Sequence, residues 1–212
     1  GTFFPQARFD ATGNLVGEID YREHDAYVKQ HACHGIILFC GYQGALQGPA
    51  AADSDAYRQA HVQWLRAWVK HLAELGVGYD GFALYPVDEP GLSQGLVAAY
   101  LRLAKLAREA DPRIQMYTDP VGQIAEDELR QMLSYVDIWC PNRAGLVLDQ
   151  KQKAKLDIIK ASGKAVWMYE CDDNAKDAEA CRHGDSDTDM MGNGSRDTLI
   201  WINSPAWSSV DA

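Results

Sequence analysis

Short continuous apolar runs alternate along this chain with longer stretches in which apolar side chains recur every three or four positions. The runs Ile36-Ile37-Leu38-Phe39-Cys40, Gly81-Phe82-Ala83-Leu84-Tyr85 and Ile114-Gln115-Met116-Tyr117 have the length and composition of buried strands. So do Val136-Asp137-Ile138-Trp139-Cys140 and Ala165-Val166-Trp167-Met168-Tyr169. Between them the spacing predicts helices over residues 56–75, 92–110 and 126–134, and another from about residue 149. The first carries Val62, Leu65, Trp68, Val69, Leu72 and Leu75 on one stripe and ends at Gly76. The second stops at Asp111-Pro112. Upstream, Asp20-Tyr21-Arg22-Glu23 has capping-box spacing and predicts a helix to about residue 32. A further strand is predicted to end at Phe3-Phe4-Pro5. Apolar strands alternating with helices imply a parallel sheet with helices packed on it.

Polar and aromatic residues recur where these strands end: Tyr42, Asp88 with Glu89, Asp119, Asn142 and Glu170. Recurrence at the C-terminal end of strand after strand is the layout of a barrel mouth. No glycine-rich dinucleotide or phosphate-loop turn follows any strand, which removes the usual reason for a doubly wound sheet. The predicted class is therefore α/β, a (β/α)8 TIM-barrel-like fold. A full barrel needs eight strands in about 250 residues. With 212 residues and five clear strands, a first or last strand is expected to be missing or degenerate. Residues 1–172 read as the barrel domain. Residues 173–212 are polar and match it poorly, with one candidate last strand at 198–202.

The most informative stretch is residues 79–91, YDGFALYPVDEPG. An apolar strand ends on two adjacent carboxylates, Asp88 and Glu89, and Pro90-Gly91 then breaks the chain before a helix. Proline disfavours the helical region for the residue before it, so Glu89 is expected to be extended. The pair is the candidate catalytic set; the bland alternative is a helix-capping cluster stabilised by the helix dipole. Tyr42, Tyr85, Tyr117, Trp139, Trp167 and Tyr169 lie at or near strand ends, where flat aromatic faces can stack on sugar rings. With Asp119, Asn142 and Glu170 they form the candidate substrate-binding set, although Trp139 and Trp167 also suit a barrel filling. Trp64 and Trp68 lie on a helix stripe and read as core.

Composition narrows the partners. A formal net charge of −10 argues against nucleic-acid or anionic-membrane binding, which need clustered Lys and Arg. No apolar run approaches the ~20 residues of a membrane span, so no membrane insertion is predicted. The chain opens on Gly1-Thr2-Phe3-Phe4-Pro5, already inside a structured-looking segment. A leader for a secreted or periplasmic protein would lie upstream. Cys33, Cys40, Cys140, Cys171 and Cys181 show no CxxC spacing and read as buried thiols. His24, His31, His34, His61 and His71 show no HxH or HExxH spacing. The acidic run at 183–189 lacks the glycine and acidic positions of a calcium loop and reads as a solvated loop. No metal and no cofactor are predicted. No Gly-x-Ser-x-Gly elbow is present.

The strand ends YPVDEP, DIWCPN and KAVWMYEC, in that order, resemble the catalytic domain of glycoside hydrolase family 123 and related uncharacterised TIM-barrel glycosidase-like domains. The resemblance covers residues 1–171; beyond about Asp172 the chain departs from the family pattern. It implies a carbohydrate substrate and hydrolysis of β-linked N-acetylhexosaminides, notably N-acetylgalactosaminides. It also implies that the substrate's acetamido oxygen attacks the anomeric carbon, Glu89 protonates the leaving oxygen, and Asp88 orients the acetamido group. Substrate-assisted enzymes of this kind depart from the usual two-carboxylate geometry. Two alternatives remain open. Glu89 could be acid/base and Glu170 a covalent nucleophile, with carboxyls ~5 Å apart. Or the chain is a non-catalytic, carbohydrate-binding or degenerate barrel.

Overall fold

The computed structural model describes residues 4–32, 35–48, 51–171 and 197–200. The described chain divides into two compact units. Gly1–Asp88 and Ala98–Tyr117 form the first, and Glu89–Val97 and Thr118–Ala212 the second.

In the first unit, Ala7–Arg8 (β1) pairs in parallel with Leu46–Gln47 (β3), and Ile37–Cys40 (β2) with Phe82–Tyr85 (β4). Met116 continues the order by a parallel bridge to Leu84. The helices are Arg22–His31 (α1), Asp55–Glu74 (α2) and Leu96–Ala110 (α3). The N-terminal strand thus lies at Ala7–Arg8, later than the Phe3-Phe4-Pro5 end expected, and β3 was not foreseen.

The long helix forms where expected because its end signals and its stripe agree. Ser54 Oγ accepts the Tyr57 N–H at 3.1 Å, and Gly76, at φ +83°, ends the helix in the left-handed conformation that suits glycine. Its buried face carries Trp64, Leu65, Trp68 and Leu72. Trp68 packs edge-on against Phe39 at 4.7 Å between ring centroids and donates its indole N–H to His24 Nε2 at 2.9 Å. The Trp64 indole N–H reaches the Pro5 carbonyl at 2.9 Å.

Two helix starts differ from expectation. The capping box at residues 20–23 does not form. Asp20 instead accepts the Arg22 N–H at 3.1 Å and pairs with the Arg22 guanidinium, and the cap residue Tyr21 makes no side-chain cap bond. The helix expected from residue 92 begins at Leu96, after a turn in which Gly91 and Gly95 take φ of +102° and +90°.

His61 is fully buried on α2, with Nδ1 3.2 Å from the Tyr57 hydroxyl. Burial, aided by the Arg102 charge, holds its pKa at about 4 against an ordinary 6.5. Above the unfolded value the imidazole is neutral in both states and the folded state loses nothing. As pH falls from about 6.5 towards 4, the unfolded chain binds a proton that the folded chain refuses. Stability should then drop, at a slope approaching 1.4 kcal/mol per pH unit. Urea midpoints against pH for wild type and His61→Phe check this. Parallel curves across that window would refute it.

In the second unit, parallel order follows the sequence over three successive strands. The Cys140 N–H donates to Thr118 O of Tyr117–Thr118 (β5) at 2.7 Å, and Ile138–Trp139 (β6) is in register with Ala165–Val166 (β7). Asn142 then bridges in parallel to Tyr169. The helices are Glu126–Met132 (α4) and Lys153–Ala161 (α5), the second preceded by a single 3-10 turn at Gln150–Gln152 that Asp149 caps. Glu128 accepts the Ala125 N–H at 2.9 Å, which fixes the start of α4. Met168–Cys171 (β8) pairs antiparallel with Asp197–Ile200 (β9). The candidate last strand is therefore present in part, but it runs opposite to the direction a closing barrel strand needs. Parallel strands with intervening helices are the α/β pattern expected, and the described residues do not complete a barrel. No helix among them is long and apolar enough to cross a membrane.

Candidate active site

In the first unit β4 leads into the segment 86–88, held by Gln43, whose side-chain amide donates to the Pro86 carbonyl at 2.8 Å. Gln43 escaped the sequence reading; its only signal was its place just after a strand end. The Tyr85 hydroxyl donates to Asp88 Oδ1, and the Tyr85 ring sits edge-on to Tyr117 at 4.8 Å. Asp88 is exposed, Tyr85 is partly so, and Tyr117 is buried. A phenol bonded to one carboxylate oxygen leaves the other oxygen to accept from a ligand.

The second unit gathers Glu89, Asp119, Asn142 and Tyr169. Glu89 is at φ +44°, the one described non-glycine residue with positive φ. The extended conformation expected before Pro90 is not adopted. Asp119 Oδ1 accepts the Glu89 N–H at 3.1 Å, and the Tyr169 hydroxyl donates to Glu89 Oε1. These tertiary contacts override the local preference. Non-glycine residues in this region cost of order 1–3 kcal/mol and persist only where the surroundings over-determine them. Gly91 completes the turn: a Cβ there would lie 2.5 Å from Ile124 Cβ and 2.7 Å from its Cα.

The strand register explains which side chains meet. Successive residues point to opposite faces, so Asn142 and its bridge partner Tyr169 share one face. Trp139, paired with Val166 and three residues before Asn142, falls on the other face and is fully buried. Asn142 Oδ1 accepts the Gly145 N–H at 2.6 Å, which opens the π-helical turn Arg143–Val147. Asn142, the bridge partner of Tyr169, also acts on the Tyr169 hydroxyl as a hydrogen-bonding neighbour that favours its ionised form. Burial raises the Tyr169 pKa far above the ordinary phenol value. The bond to Glu89 and the charges of Asp119 and Glu89 add to the rise, while the Asn142 bond opposes it. Tyr169 therefore stays a hydrogen-bond donor at any working pH.

The other expected residues fall as follows. Tyr42 is a core residue. Gly41, at φ +67°, turns the chain straight after β2, and Tyr42 packs fully buried against Trp64 and His61. A carbohydrate contact does not fit that burial, nor the burial of Trp139. Trp167 is half-exposed, and its N–H donates to the Trp139 carbonyl at 2.7 Å. The Glu170 side chain and the acidic run 183–189 lie outside the described residues. Neither Cys40 nor Cys140 is in a disulfide; Cys140 is buried as expected, whereas Cys40 is exposed. Among the described residues, no three His, Cys, Asp or Glu side chains are grouped to hold a metal ion.

Comparison with protein-family models finds no match, and neither does comparison with curated proteins. Among solved structures the chain is similar to an intracellular xylanase from Thermoanaerobacterium saccharolyticum, crystallised as a mutant in complex with xylotriose. Identity is 13% and the TM-score 0.45, over 76% of this chain and 63% of the xylanase chain. A likeness this distant assigns neither family nor substrate. The resemblance to glycoside hydrolase family 123 rests on the three strand-end motifs alone.

Proposed function

We propose that this protein is a glycoside hydrolase that cleaves β-linked N-acetylhexosaminides by substrate-assisted catalysis, with residues 1–172 as its barrel-like catalytic domain. In this reading the 2-acetamido oxygen attacks the anomeric carbon as the glycosidic C–O bond breaks. Glu89 gives its proton to the departing oxygen, which leaves as an alcohol. Asp88 accepts the acetamido N–H and stabilises the cationic oxazolinium ring. Water then attacks the anomeric carbon, and the Glu89 carboxylate takes its proton back. Trp167, Tyr85 and Asn142, each at least partly exposed, are the candidates for sugar contacts. The observation that carries the reading is Glu89 itself: a carboxyl oriented by a buried phenol, on a backbone held in a strained conformation by a buried carboxylate.

The test is the substrate's 2-substituent. Chromogenic β-N-acetylhexosaminides should turn over, their 2-hydroxyl counterparts should not, and a thiazoline mimic of the intermediate should bind far more tightly than the product sugar. Equal activity on plain 2-hydroxyl sugars, with a 2-fluoro glycoside trapped on Glu170, would replace this mechanism by the two-glutamate one. Sugar binding without turnover of any glycoside would point to a non-catalytic barrel.

A further inference from the structure

We infer that Tyr169 and Asp119 are positioning residues for Glu89, rather than sugar contacts: Tyr169 reserves Glu89 Oε1 as an acceptor so that the transferable proton sits on Oε2, and Asp119 fixes the backbone that aims it. This rests on the glycosidase reading above and deepens it. The Tyr169 hydroxyl donates its hydrogen to Glu89 Oε1. With Oε1 accepting, a protonated Glu89 carries its hydrogen on Oε2. When Oε2–H gives that proton to the glycosidic oxygen, Glu89 becomes a carboxylate. The Tyr169 bond then becomes charge-assisted and strengthens. An interaction that is stronger in the transition state than in the ground state accelerates the step. Tyr169 and Asp119 are both buried, 6% and 5% exposed, which suits a supporting shell more than a sugar-binding surface. The fixed phenol donor described above keeps this arrangement intact across the pH range. Asp119 acts through geometry: its Oδ1 takes the N–H of a residue at φ +44°.

The experiment compares wild type, Glu89→Gln, Tyr169→Phe, Asp119→Asn and Asp119→Ala. Two N-acetylhexosaminides are used, one with a nitrophenyl and one with a methyl leaving group, and thermal melts confirm folding. Tyr169→Phe should lower kcat/KM on the methyl glycoside about ten- to a hundredfold, the worth of one hydrogen bond to a charged group. The nitrophenyl glycoside, which needs little protonation, should lose much less. Asp119→Asn keeps an acceptor oxygen and should retain most activity, while Asp119→Ala should fall with the same leaving-group bias. An equal loss on both substrates for Tyr169→Phe, or Asn no better than Ala at position 119, overturns the inference while leaving the glycosidase reading intact. That reading fails separately if wild type turns over nothing, or if Glu89→Gln is fully active on the methyl glycoside. Crystal structures of Tyr169→Phe and Asp119→Ala decide the positioning claim without turnover. Glu89 should lose its single side-chain orientation in the first and its positive φ in the second. A Glu89 unmoved in both refutes the inference.

Discussion

Replacing Glu89 by Gln should lower turnover of an alkyl or sugar N-acetylhexosaminide by ~10²–10⁴, the usual contribution of a positioned general acid. The substitution is nearly isosteric, and the amide oxygen can still accept the Tyr169 hydroxyl, so the surrounding geometry survives. What is lost is the proton. The loss should therefore shrink sharply on an activated aryl glycoside, whose leaving oxygen departs without help. Steady-state kinetics on the two leaving groups, with thermal melts to show that the fold persists, are enough to decide. The same loss on both substrates would mean that Glu89 acts in some other way, for instance through binding or folding.

Trp68→Ala should destabilise the protein by about 3–5 kcal/mol, the range for deleting a large buried aromatic. Trp68 is 1% exposed and touches Phe39, Trp64 and His24, so its removal opens a cavity among groups that α1, α2 and β2 hold in place. It also removes the indole N–H bond to the buried His24 Nε2, an added cost of about 1 kcal/mol. For a chain of this size the packing term alone corresponds to a fall in Tm of roughly 6–20 °C. Trp68→Phe keeps a ring but removes the donor, and should fall between wild type and Ala. Denaturant unfolding of the two variants tests both parts. A change below 1 kcal/mol for Ala would show that this cluster is not the core of its unit.

Much of the secondary structure was legible because its causes are local. The stripe from Val62 to Leu72 has the helical period whatever it packs against, and Gly76 ends the helix through its own backbone freedom. The apolar runs around Phe39, Leu84 and Ile138 are strands for a similar reason. Misjudged ends also have local causes. Asp20 had a second partner in Arg22, and the stretch 91–95 had two glycines free to take positive φ.

The candidate site was legible only as a set of positions. A polar residue after an apolar strand marks a strand end, and that was enough to select Asp88, Glu89, Asp119 and Asn142 from the amino-acid order. Which side chains meet depends on register and on turns, and neither is a property of one segment. A one-residue step moves a side chain to the opposite face of a sheet, which separates Trp139 from Asn142. The turn at Gly41 sends Tyr42 into the core, although its place after a strand matched that of the others. Glu89 shows the limit most clearly. Its sequence neighbour Pro90 favours an extended backbone, yet Asp119, 30 residues away, and Tyr169, 80 residues away, hold it in the left-handed region. The left-handed region costs such a residue about 1–3 kcal/mol, and two hydrogen bonds, each worth about 1.5–3 kcal/mol where a partner is charged, offset it. The chain alone therefore determined the central strands, most of the helices and the place of the carboxylate pair after β4. Only the folded structure decided what Glu89 touches, because those partners come from strands distant in sequence.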